Sequence, residues 1–219
     1  MQPPAAAPRI VAIVGGSGSG KTTLARAVCR VLGEDSVLVE HDAYYRCLAH
    51  LPHTQRAAVN FDHPDSLENE LLMVQLEQLR RGQGVMMPRY DFASHSRMPD
   101  GIRIDPRPVI VVEGILVLAL PHLQRAFDLS VFVDTPTELR FRRRCDRDVR
   151  DRGRTPESVR SQWMSTVQPM HERFVAPSRD RCDLVLSGRD DVMQSARRVV
   201  ACLQAQQRRD GDRPQAVGI

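Results

Sequence analysis

The run Gly15-Gly16-Ser17-Gly18-Ser19-Gly20-Lys21-Thr22 constrains this chain more than any other feature. It matches G-x-x-x-x-G-K-[ST] and lies between a short β-rich segment, Arg9 to Val14, and a segment with helical spacing, Lys21 to Leu32. Glycines let the backbone wrap a phosphate and aim successive N–H groups at it, and the following helix N-terminus adds a favourable dipole. Lys21 supplies an ammonium between β- and γ-phosphates. Thr22 supplies a hydroxyl for Mg²⁺, and Thr23 continues the phosphate-binding turn. Of 31 basic residues only Lys21 is lysine. In a chain that otherwise uses arginine, the two are not interchangeable at that position.

The pattern extends into an α/β fold with a parallel sheet flanked by helices. Strands are expected at 9–14, 36–39, 108–112, 129–134 and 183–186. Helices are expected at 21–32, 66–81 with Ser66 as N-cap, 135–152, 155–174 with Pro156 in its first turn, and 190–207. Residues 43–65 have no clear period, and 85–105 read as strand and hairpin material. At 219 residues the chain suits a single domain over 9–207 with a small lobe. Residues 1–8 read as a flexible N-terminus and 208–219 as a disordered tail.

Hydrophobic residues make up 42% and charged residues 26%, ordinary for a soluble globular protein. The longest apolar stretch, Val109 to Leu120, is interrupted by Glu113 and is too short for a bilayer. The N-terminus carries no secretory pattern, and the five scattered cysteines form neither a zinc spacing nor a disulfide framework. These features point to a cytoplasmic protein with reduced thiols and no membrane partner. The net charge of +4 suits an anionic partner. A guanine-reading N-K-x-D motif is absent, since there is no second lysine. Nucleic acid is not expected as a partner: no nucleic-acid motif or aromatic interleaving accompanies the basic cluster.

Two acids follow strand ends, where ligands of such sheets converge. Asp42 suits a base for an acceptor hydroxyl and adjoins the metal, and Glu113 suits the Mg²⁺ environment. Asp134 also ends a strand, but capping of the next helix explains it more simply. Eight arginines between Arg140 and Arg154 suit a short lid, about 140–160, that clamps phosphates and excludes water. The irregular segments about 43–65 and 85–105 concentrate aromatic and hydrogen-bonding residues, as acceptor-binding segments do.

The ordered set of segments resembles the uridine kinase (uridine–cytidine kinase) family. It comprises GGSGSGKTT, HDAYY at 41–45, NFDHPDS at 60–66, PRYDFASHSR at 88–97, VEGIL at 112–116, FVDTP at 132–136, RDVRDRGR at 147–154 and the helix around Gln162. The resemblance covers roughly residues 10 to 205. It implies the P-loop NTPase fold of the nucleoside monophosphate kinase-like type, with a small β-hairpin acceptor lobe and an arginine-rich lid. It implies transfer from ATP or GTP, with Mg²⁺, to the 5′-hydroxyl of uridine and cytidine, and commonly a homotetramer.

Position by position, Asp42 matches the family's base and Asp62 and Arg144 the residues holding the ribose hydroxyls. Tyr90 and His95 match those reading the pyrimidine edge, with Tyr45, Phe61 and Phe92 shaping the pocket. Arg154 and Gln162 match further nucleoside contacts. Arg147 and Arg152 match lid arginines at the phosphates, and Thr22 and Glu113 the Mg²⁺ environment. His41 departs from the family's Gln or Glu, and Trp163 from its tyrosine. The alternatives are another small-metabolite kinase of the same fold, phosphoribulokinase-like or pantothenate kinase-like, and a non-catalytic nucleotide- or RNA-binding regulator.

Overall fold

A computed structural model describes residues 7–57 and 59–211. The chain runs β1 (Arg9–Val14), α1 (Lys21–Leu32), β2 (Ser36–Glu40), α2 (His53–Ala57), α3 (Asn69–Arg80), β3 (Val85–Met87), β4 (Tyr90–Asp91), β5 (Ser96–Arg97), β6 (Ile102–Ile104), β7 (Val109–Gly114), α4 (Pro121–Gln124), β8 (Leu129–Asp134), α5 (Thr137–Arg152), α6 (Pro156–Gln162), α7 (Gln168–Met170), β9 (Leu184–Ser187) and α8 (Val192–Gly211). Five strands form one parallel sheet in the order β2-β7-β1-β8-β9.

Alternation along β1 shows why the sheet is covered on both faces. Ile10, Ala12 and Val14 join a core with Val39, Tyr44, Leu72, Leu76 and Leu116. Val11 and Ile13 point the other way, to Leu24, Val28, Val199 and Leu203 of α1 and α8. A central parallel strand buried on both faces must be apolar along its buried length, and β1 is from Ile10 onward and β7 is until Glu113. The register pairs Val14 with Gly114 and sets Glu113 opposite both Ile13 and Glu40. The phosphate loop, Glu113 and the turn after β2 therefore emerge at one edge of the sheet.

The 85–105 segment folds as two nested antiparallel pairs, β3 with β6 and β4 with β5. Arg97 ties it to the body: Nε donates to the Tyr45 carbonyl at 2.9 Å, Nη2 to that of Tyr44 at 3.1 Å, and Nη1 to Glu68 at 2.9 Å.

Four expectations are corrected. Ser66 does not cap a helix; its hydroxyl donates to the carbonyls of His63 (2.6 Å) and Phe61 (3.2 Å), closing a 3₁₀ turn, and α3 starts at Asn69. Asp134 does not cap α5, whose N-cap position is Pro136; it accepts from Arg179 Nε at 3.0 Å instead. The 155–174 segment is helical but passes through π turns at Trp163–Val167 and His171–Val175, on either side of Pro169. Proline lacks the N–H that a regular helix needs there, and the wider turns accommodate the loss. Finally, α8 runs on to Gly211, beyond the boundary at 207; residues 1–6 and 212–219 lie outside the described ones.

Candidate active site

Positive φ at Gly15 (153°), Gly18 (78°) and Gly20 (99°) bends the loop between β1 and α1. Gly18 also packs so closely on the Arg140 carbonyl that a Cβ has no room. The glycines therefore meet both a conformational and a steric need. Lys21 opens α1 with its side chain largely buried, Nζ standing 3.8 Å from Glu113 Oε2. Thr22 Oγ1 donates to Glu113 Oε1 at 3.0 Å. Burial raises the Glu113 carboxyl above its ordinary value; Lys21 opposes this, and the Asp42 charge adds to it.

Two cavities meet over this edge. The smaller, about 570 Å³, is lined by the loop from Gly18 to Thr23 with Glu113, and by Arg143, Gly188, Asp190 and Val192 on the far side. The larger, about 1020 Å³, is lined by every residue expected at the acceptor: Tyr45, Phe61, Asp62, Tyr90, Phe92, His95, Arg144, Arg154 and Gln162. Lys21, Asp42, Phe92, Arg147 and Arg152 line both. The four residues expected to act in catalysis thus fall on the shared boundary. Gly15 and Gly16 line neither cavity, and Ser17 faces the larger.

One wall of the larger cavity is aromatic. Tyr45 lies 5.3 Å from both Phe61 and Tyr90 between ring centroids, Tyr90 lies 5.4 Å from Phe92, and Phe61 stacks on His95 at 5.0 Å. His95 adopts φ 51°, in the left-handed region. The Tyr45 hydroxyl is satisfied by the Phe61 carbonyl at 3.1 Å, whereas the Tyr90 hydroxyl is buried without a hydrogen-bond partner. Burial pushes the Tyr90 phenol up to about 12, so it stays a neutral donor.

The opposite wall is charged. Arg144 donates to Ser17 Oγ and Gln162 Oε1, both at 2.8 Å, and Arg154 also donates to Gln162. Burial raises the Asp62 carboxyl, with Arg144 opposing it. Arg152 lies over the Phe92 ring at 5.1 Å, joining the two walls.

Not every arginine of the cluster reaches a cavity. Arg140 is buried, donating to the Thr135 carbonyl and Gln168 and lying 5.2 Å over Trp163. It is therefore a packing residue beneath the phosphate loop, not part of a lid. Trp163 packs on Phe141 in the same cluster. His41 does not face the site: it is fully buried and its Nε2 meets Asn69 Oδ1 at 3.0 Å.

Sequence reasoning placed Arg143 only among the lid arginines, whereas it donates to the Ser19 and Gly188 carbonyls, and it missed the β9–α8 turn that lines the smaller cavity. That turn follows a strand's carboxyl end, which is a signal that could have found it.

Glu113 Oε2 and Asp42 Oδ1 are buried oxygens without hydrogen-bond partners, and both residues line the smaller cavity with Thr22. Among the described residues, no group of three or more His, Cys, Asp or Glu suits a metal cage. A small donor set beside a phosphate loop fits a hard cation that completes its shell with water and phosphate oxygens.

Comparison with known proteins agrees with this geometry. The family model described as "Phosphoribulokinase / Uridine kinase family" matches residues 10–194. A uridine kinase from Chloroflexus aurantiacus is 48% identical over 182 residues, covering 83% of this chain and 87% of that protein. Another from Geobacillus kaustophilus is 43% identical over 180 residues, covering 82% and 85%. Among solved structures, phosphoribulokinase from Rhodobacter spheroides aligns with TM-score 0.59 at 17% identity, over 83% of this chain and 70% of that one. D-glycerate 3-kinase from Cryptococcus neoformans aligns with TM-score 0.57 at 17% identity, over 77% and 79%. The fold is that of the P-loop kinases, and the chain belongs to the phosphoribulokinase / uridine kinase family.

Proposed function

We propose that this chain phosphorylates the 5′-hydroxyl of uridine and cytidine, using ATP or GTP with Mg²⁺, as a homotetrameric cytoplasmic kinase of pyrimidine salvage. The carrying observation is the shared boundary of the two cavities, with a phosphate loop on one side and an aromatic, hydrogen-bonding slot on the other. Relatives 39–48% identical over most of the chain bear the name uridine kinase.

In the mechanism this supports, the loop N–H groups and Lys21 bind the donor's phosphates. Tyr45, Phe61 and Phe92 enclose a flat base. The Tyr90 hydroxyl and His95 meet its polar edge, and Asp62 with Arg144 holds the ribose hydroxyls. Asp42 orients the 5′-hydroxyl and accepts its proton as the bond from that oxygen to the γ-phosphorus forms and the bond to the β–γ bridging oxygen breaks, releasing the nucleoside diphosphate. Thr22, Glu113 and Asp42 would hold Mg²⁺, which would supply charge neutralisation to the donor's phosphates. Arg147 and Arg152 stabilise the charge that develops at the boundary. Closure of the arginine-bearing end of α5 and of α6 as a lid would exclude water.

The test is product formation with Mg²⁺ and ATP or GTP on uridine, cytidine, adenosine and 2′-deoxyuridine. Monophosphates from uridine and cytidine alone support the reading. Turnover of a ribulose phosphate or pantothenate instead, or of no acceptor at all, refutes it.

A further inference from the structure

One side chain of the arginine cluster lines neither cavity yet touches arginines of both. Asp148, on the inward face of α5, has no exposed surface. Arg147 donates to its Oδ1 from Nε at 3.0 Å and Nη2 at 2.8 Å. Arg152 Nη1 stands 3.4 Å from the same oxygen. Arg144 Nε and Arg154 Nη1 each stand 3.5 Å from Oδ2. The Asp148 carbonyl also accepts the N–H of Arg154 at 3.2 Å and that of Gly153, fixing the turn that presents Arg152 and Arg154.

Four guanidinium groups around one carboxylate are a costly arrangement. A buried ion pair is often no more stabilising than apolar packing of the same volume, so stability alone is a weak reason for it. Its geometric consequence is specific. Arg144 and Arg154 line the larger cavity alone, while Arg147 and Arg152 line the boundary. Arg147 is engaged through Nε and Nη2, leaving Nη1 for a ligand. Arg152 is engaged through Nη1, leaving Nε and Nη2. Without the carboxylate these neighbouring cations repel one another and separate.

We infer that Asp148 is a positioning residue for phosphoryl transfer, one buried charge that fixes the guanidinium groups of the acceptor wall and of the boundary in a common frame. This rests on the kinase reading above. Asp148 touches neither the reacting atoms nor the cavities and acts through Arg147 and Arg152.

The experiment compares Asp148→Asn, Asp148→Glu and Asp146→Asn. The last makes the same charge change at an exposed site on the same helix. With folding checked by thermal melting, Asp148→Asn is expected to lower kcat about 30-fold or more, and Asp146→Asn to leave it unchanged. A merely structural role is separated by a double-mutant cycle. In an Arg147→Ala, Arg152→Ala background, Asp148→Asn should cost about 3-fold or less, because its route is gone.

A full multiplicative loss in that background, or wild-type kcat in folded Asp148→Asn, overturns the inference. If Asp148→Asn does not fold, Asp148→Glu decides. It keeps the charge but displaces it by one methylene. Lowered kcat at unchanged melting temperature supports the inference, and wild-type kinetics overturn it. Calorimetric binding of Mg·ATP without acceptor separates the two claims. If the wild type phosphorylates neither uridine nor cytidine, the acceptor reading fails. The inference still predicts about 10-fold weaker Mg·ATP binding in Asp148→Asn or Asp148→Glu and none in Asp146→Asn, and equal affinities overturn it.

Discussion

His41 makes the protein's stability depend on acidity in a calculable way. The ring is fully buried against Asn69, and burial lowers its pKa from 6.5 to about 4, outweighing the opposite pulls of Asp42 and Asn69. The folded state therefore holds a neutral imidazole where the unfolded chain takes up a proton. Between these two values the unfolded state binds more protons, so stability rises with pH across the window and is lost as pH falls through it. At about 1.4 kcal/mol per pH unit the full effect is about 3 kcal/mol, of which about 2 kcal/mol is gone by about pH 5. The assay is urea unfolding of wild type and His41→Gln at about pH 7.5 and about pH 5. Other titrating groups cancel in the comparison, including His171, also lowered to about 4, and Asp62 and Glu113, whose raised values act in the opposite sense. The wild type should lose about 2 kcal/mol more than the variant between the two conditions. Equal losses in the two proteins refute the assignment of a buried neutral histidine.

Three further outcomes are expected. Asp42→Asn should lower turnover about 10²-fold or more at unchanged melting temperature, measured as nucleoside monophosphate formed; near-wild-type turnover removes Asp42 from proton transfer. Asp62→Asn should shrink the preference for uridine over 2′-deoxyuridine about 10-fold, because the partner of a ribose hydroxyl is lost; competition kinetics read it directly. Gly18→Ala forces a Cβ against the Arg140 carbonyl at positive φ. A strain of about 2 kcal/mol should lower the melting temperature by about 4–8 °C, and a change within about 1 °C contradicts the close packing.

The sheet was legible because its central strands, β1 and β7, are apolar on both faces, a signal that needs no tertiary context. So was the site's outline, since the phosphate loop and Asp42 follow strand ends and Glu113 is the penultimate residue of β7. What escaped was decided by contacts remote in sequence. Ser66 has the chemistry of a helix cap, but two loop carbonyls claim its hydroxyl. Asp134 is drawn to Arg179, 45 residues on. Pro169 was a visible warning against a regular helix over 155–174, yet where the wider turns fall depends on the packing of Trp163 and Val167. Asp148 resembles Asp146 and Asp151 in composition. Only the orientation of α5 reveals which of the three is buried among arginines and which face solvent.

Lys21 has one more consequence, outside catalysis. It carries the only side-chain primary amine in the sequence, and that amine sits largely buried in the phosphate loop against Glu113. Amine-directed reagents meet a single side-chain target, and it lies inside the site. Acylation there leaves a reporter on the loop itself. Its rate follows opening of the loop, and protection by a bound triphosphate is read without background from surface lysines.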